Sequence, residues 1–148
     1  MGKTLYNAIN HLKCITSAYA VSNFSTVYVA LLTTNPTAST DKMTGAEEVD
    51  DYGTSSGRKG IGLGGVVPWN AITSTGDNAV ITNNGAIEWA GWSGTNGAKI
   101  VGVALCSHST AAVTDCALYW STIMSRTINT GETAMFEDAS IIVTEAGA

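Results

Sequence analysis

Charge is scarce in this chain. Only 13% of its 148 residues are charged, about half the ~25% of an ordinary soluble domain. Seven bases face twelve acids, and the only adjacent pair of bases is Arg58-Lys59. A nucleic-acid backbone demands several cationic contacts, so no nucleic-acid partner is expected. Apolar runs are short. None reaches the ~18 residues of a membrane span, so no membrane partner is expected. Asn7, Asn10 and His11 interrupt the one apolar segment near the N-terminus, which predicts cytosolic synthesis without standard secretion. The three cysteines show neither a CxxC motif nor a Cys/His metal spacing, so no metal or other cofactor is expected. HExxH, GxSxG, the P-loop and GxGxxG are all missing. Ser107, His108 and Asp115 supply triad residue types, but triads are defined by geometry and serines abound here. The expectation is a protein without catalysis.

What the sequence does have is one strongly apolar strand, Thr26 to Leu32, running into a turn at Asn35-Pro36. Val27, Val29 and Leu31 point to one side of a sheet, and Tyr28, Ala30 and Leu32 to the other. Both sets are apolar. Such a strand must be covered twice, by an opposing layer on one side and by a helix or partner on the other. Upstream, Leu5, Ala8, Ile9, Leu12, Ile15 and Tyr19 recur at i, i+3, i+4, i+7 spacing and predict an amphipathic helix over 3–19. Downstream, short strands follow: 79–82, 86–90, 99–106, 116–123, 133–137 and 140–144. Asn83-Asn84-Gly85 reads as a hairpin turn between the first two, and Asn129-Thr130-Gly131 as a turn in the last hairpin. Many short strands with regular turn signals indicate a sandwich or barrel.

Residues 33–70 read as a long irregular arm containing an acidic patch (Glu47, Glu48, Asp50, Asp51) and the glycine-rich run SGRKGIGLGG. The acidic patch lacks calcium-loop spacing and reads as a solvated loop. The glycines suit an arm that runs close along another chain. Trp89 and Trp92, near a turn, fit core or interface anchoring better than stacking on a sugar. Cys106 and Cys116 flank a hairpin loop, either as two buried thiols or as a disulfide formed after release into an oxidising medium. Cys14 on the helix fits plain packing.

The order of elements then becomes familiar. TLYNAINHLK, VYVALLTTNPT, GAEEVDDY, GDNAVITNNGAIEWAGWSG, KIVGVALCS and the closing ALYWSTIMSRTINTGETAMFEDASIIVT resemble a family of small structural proteins of tailed bacteriophages. Its members are labelled tail fibre or structural protein, with relatives resembling head decoration (cement) proteins. The family usually passes from a Glu-Val segment through a short turn to a Tyr-x-Arg strand; here GTSSG separates Tyr52 from Arg58. The resemblance and the composition together predict an all-β, antiparallel sandwich of jelly-roll type with one N-terminal α-helix, a single domain over 1–148 whose β part spans 26–148. The expected function is capsid decoration: a homotrimer on the capsid surface, bridging neighbouring copies of the major capsid protein. Arg58, Lys59, Ile61, Leu63, Trp69, Trp89 and Trp92 are the expected contact residues. The alternative is a tail-tip or fibre protein that binds host carbohydrate.

Overall fold

A computed structural model describes residues 2–3, 26–36, 48–49, 51–76, 78–111 and 117–146. Among them every named element is a strand, and every pair of named strands is antiparallel. Apart from Lys3, which lies in a strand, the helix predicted over 3–19 falls outside the described residues, as do Cys14 and Cys116.

Among the described residues, ten strands form three sheets. They are β1 (Gly2–Lys3), β2 (Thr26–Leu32), β3 (Lys59–Gly62), β4 (Thr73–Thr75), β5 (Asn78–Thr82), β6 (Ile87–Trp89), β7 (Ala98–Cys106), β8 (Ala117–Ile128), β9 (Ala134–Phe136) and β10 (Ile142–Ala146). The largest sheet runs β1-β8-β7-β2-β3; β10-β5-β4 form a second and β6-β9 a third. The predicted alternation of β2 holds. Val29 and Leu31 enter a large core with Ile61, Ile87, Trp89, Ile100, Val103, Leu105 and Val143, which joins residues of all three sheets. Ala30 and Leu32 enter a separate small cluster on the opposite, back face.

Two readings of the sequence are corrected. The strands on either side of Asn83-Asn84-Gly85 do not pair as a hairpin. β5 pairs with β4 and β10, and β6 pairs with β9. The segment is a corner where the chain changes sheets, and the fully buried Asn83 holds it. Its amide Nδ2 donates to the carbonyls of Gly85 (2.8 Å) and Glu137 (2.9 Å), and its Oδ1 accepts from the Ile141 backbone N–H (2.8 Å). Gly85 sits at φ +115°, where a side chain would be strained. Asn129-Thr130-Gly131 turns likewise, but between β8 and β9, which also belong to different sheets. By contrast, β7 and β8 do form the hairpin expected around Cys106, with Cys106 opposite Ala117.

The second correction concerns the glycine-rich run. It contains an edge strand, β3, paired with the first half of β2, and the loop after it folds straight back, Val66 N–H bonding to the Gly60 carbonyl at 2.8 Å. A Cβ on Gly65 would lie 2.4 Å from the Gly60 oxygen. These glycines permit close approach of the chain to itself.

Replacing Asn83 by Ala removes its bonds to Gly85 and Glu137 and leaves the buried Ile141 N–H without its acceptor, and should lower stability by about 1–3 kcal/mol at unchanged m-value. Urea titration followed by tryptophan fluorescence measures this; a loss under about 0.5 kcal/mol would show the corner holds without Asn83.

Candidate interaction surface

The predicted contact residues divide by burial. Ile61, Trp89 and Trp92 have no exposed surface, and Arg58 is buried. Each spends its contacts inside the protomer. The Trp89 indole donates to the Gly57 carbonyl at 2.7 Å, and its ring meets Phe136 edge-on at 6.1 Å. Trp92 meets Tyr52 edge-on at 6.0 Å and donates to the Thr95 carbonyl. The GTSSG insert packs here too: Thr54 N–H reaches Ser93 Oγ, and Ser93 N–H reaches Ser55 Oγ. Trp92 is therefore not placed to stack on a sugar.

Arg58 closes a buried polar cluster. Its Nε donates to Glu48 Oε1 at 2.7 Å and its Nη2 to Glu48 Oε2 at 2.5 Å, a two-pronged pair. Nη1 donates to the His108 carbonyl, and the Tyr52 hydroxyl donates to Glu48 Oε1 at 2.9 Å. Glu48 thus leaves the solvated patch the sequence suggested. Its neighbour Val49 bonds through N–H to the Leu31 carbonyl, extending the β2 edge where β3 ends. Burial, and next the negative Glu48, push the Tyr52 phenol far above its ordinary value, so it stays neutral.

Part of the outward surface is apolar. Leu63 is 83% exposed and Ile72 70%, with Val66 also exposed beside them in sequence. Thr26 Oγ1 holds the Leu63 carbonyl at 2.5 Å, next to Val27. Val27, Leu105 and Tyr119 from the five-stranded sheet, Ile81 and Val143 from the three-stranded sheet, and Trp69 line an apolar cavity of about 260 Å³, with Ile72 at its wall. At one side the Tyr119 hydroxyl donates to the Glu145 carboxylate. Lys59 is partly exposed, and burial lowers its ammonium pKa. Of the predicted contact residues, Lys59, Leu63 and Trp69 therefore keep outward surface, and Trp69 alone lines the cavity. Ile72 was missed; an isolated isoleucine between Ala71 and Thr73 carries no sequence signal of its own. Among the described residues no group of acidic, cysteine or histidine side chains is arranged to hold a metal.

A β chain with a buried Arg58–Glu48–Tyr52 cluster and an apolar groove left outward has the makings of an assembly component. Comparison with protein families agrees: the chain is a structural protein of bacteriophage virions. The family model that matches, over residues 2–144, is described as Podophage GP4 fiber I protein gp80, and the chain belongs to that family. No curated protein matches it.

Two outcomes follow from the polar cluster. Arg58→Ala strands the Glu48 carboxylate in the interior, and urea unfolding should show a loss of about 3–5 kcal/mol. Above pH 10.0, the ordinary tyrosine value, the unfolded chain releases the Tyr52 proton while the folded chain retains it. Stability then falls with rising pH by about 1.4 kcal/mol per unit from this group. Denaturation midpoints between pH 9 and 11.5 should therefore decline less steeply in Tyr52→Phe than in the parent.

Proposed function

We propose that this protein is a non-enzymatic structural subunit of a phage virion fibre, joining neighbouring subunits through the groove and its apolar rim. The observation that carries this reading is the outward surface itself. Three of the six large hydrophobic side chains exposed among the described residues, Leu63, Val66 and Ile72, fall within the stretch 63–72, and Ile72 also lines the groove, on a chain poor in charge. Patches of this kind mark interaction sites on soluble domains. The fibre placement draws support from the family's description. Repetition along an assembly makes modest contacts strong, because each further contact forms at high effective concentration. The partners are other copies of this chain and other virion proteins, without nucleic acid or membrane.

Capsid decoration is the second reading: a homotrimer on the capsid surface that bridges major capsid subunits against the pressure of packaged DNA. The specific support is architectural. The front face of the five-stranded sheet and the three-stranded sheet share one core and flank the groove, which fits a β-sandwich of jelly-roll type. Carbohydrate binding has less support, since Trp89 and Trp92 are buried and the Asn70 and Asn83 amides are spent on Thr82, Asn83, Gly85 and Glu137.

Immunogold labelling of intact virions, with copies counted per particle, separates the placements. Label confined to tail appendages at low copy number is expected; hundreds of copies over the head would replace the fibre reading with decoration. Leu63→Asp with Ile72→Asp should leave the thermal midpoint within a few degrees, as surface changes do. The same pair should weaken self-association at least about tenfold in sedimentation analysis, as loss of a central apolar anchor does. Unchanged association would remove the groove as the contact.

A further inference from the structure

An open sheet ends in strands with one unpaired side, and such edges invite pairing with another chain. Soluble domains blunt them with charge, proline, bulges or a covering loop. Most edges here carry one of these devices. β3 holds Lys59, and the loop that follows lies along it, with Gly62 N–H on the Val67 carbonyl at 2.9 Å and Val66 N–H on the Gly60 carbonyl. β10 carries Glu145, β6 carries Glu88, and Glu137 directly follows β9. β8 carries Arg126 and breaks register with β7 near Ile100.

β4 carries none of them. Thr73, Ser74 and Thr75 are all exposed. Residues 69–76, WNAITSTG, contain neither a charge nor a proline. The ladder to β5 runs without a register shift, Thr73 opposite Val80, Ser74 opposite Ala79 and Thr75 opposite Asn78. Among the described residues no strand lies on the other side of β4. In an antiparallel ladder, residues bonded to one neighbour alternate with residues whose N–H and C=O point the opposite way. β4 therefore presents bare backbone donors and acceptors on a regular, uncharged segment rich in β-branched threonine, an edge fit to accept a further strand.

Its sequence also suits pairing with itself. When β4 is set antiparallel to the β4 of a second copy about a two-fold axis at Ser74, each Thr73 faces a Thr75, a favourable cross-strand pair. No like charges meet, since none is present. Ile72, 70% exposed and directly before the strand, falls beside Gly76, where even an added Cβ would meet nothing within 4 Å. Each Ile72 thus finds room on the other copy. A three-residue strand is small against the ~1,200–2,000 Å² of a stable interface, and Ile72, which also lines the groove, joins this edge to that apolar surface.

We propose that β4 pairs antiparallel with the β4 of a second copy, joining two three-stranded sheets into one of six in the order β10-β5-β4-β4-β5-β10. The inference rests on the reading of this surface as a contact between subunits, and gives that contact a partner and a geometry, an isologous two-fold pair.

The test is charge exchange at Ser74 in the full chain, a position outside the groove lining. On the two-fold axis, Ser74→Lys or Ser74→Glu sets two like charges opposite each other. Each protein alone should self-associate at least about tenfold more weakly than the parent in sedimentation analysis, and an equimolar mixture of the two should recover parental association. Association of the separate variants at parental strength overturns the pairing but leaves the groove contact, which the Leu63→Asp, Ile72→Asp protein tests separately. No recovery in the mixture, or a monomeric parent, overturns it too. If a Ser74 variant loses its native tryptophan fluorescence, hydrogen exchange of the parent decides. The backbone amides of 73–75 should exchange more slowly at high than at low protein concentration; equal rates overturn the pairing.

Discussion

A strand with apolar side chains on both faces has to lie between two layers, and β2 imposes that condition on the whole molecule. Its Val29 and Leu31 face the core that gathers all three sheets, and its Ala30 and Leu32 face the separate back cluster. Each fully buried aliphatic side chain gains about 1.5–3 kcal/mol over leaving it in water. The strand is therefore worth most when neither face is left open. Its edges are used as fully as its faces: β7 pairs along one side, while β3 and the Glu48-Val49 segment divide the other.

Around that strand, the polar and glycine-rich parts of the chain serve close approach. Gly60 packs where a Cβ would meet Thr26 and the Tyr28 ring, and Gly53 where it would meet the backbone of Ser93. The Arg58–Glu48 pair ties the turn before β3 to the segment beside the end of β2, and Tyr52 adds a third partner. A buried ion pair is no general source of stability, since both charges must leave water. Here every oxygen of the carboxylate is met, and the gain is positional: the pair fixes which segment lies on the β2 edge. Asn83 does the same at the corner between sheets.

Arg58 and Glu48 are the only charged side chains buried among the described residues. With few charges to begin with and Arg58 and Glu48 committed to the interior, the outward face of residues 63–72 is left to apolar side chains. A virion protein works among many neighbours of fixed geometry, and in the function proposed above this surface is the means of attachment.

Much of the fold was legible in the chain. The class of structure, the two faces of β2 and the β7–β8 hairpin follow from residue spacing, because strand alternation and turn chemistry are local. The contact residues were legible only in part. Trp89, Trp92, Arg58 and Ile61 have the composition of an interface, yet an aromatic or arginine anchor in an interface has the same chemistry as one in a core. Only tertiary packing decides which side of the surface it occupies. The hairpin expected at Asn83 failed for a similar reason: Asn-Asn-Gly encodes a reversal of the chain, not which strands pair after it. Spacing and composition determined local geometry and the need for burial; long-range pairing decided partners, since those depend on residues far apart in the chain, such as Arg58 with His108 and Asn83 with Ile141.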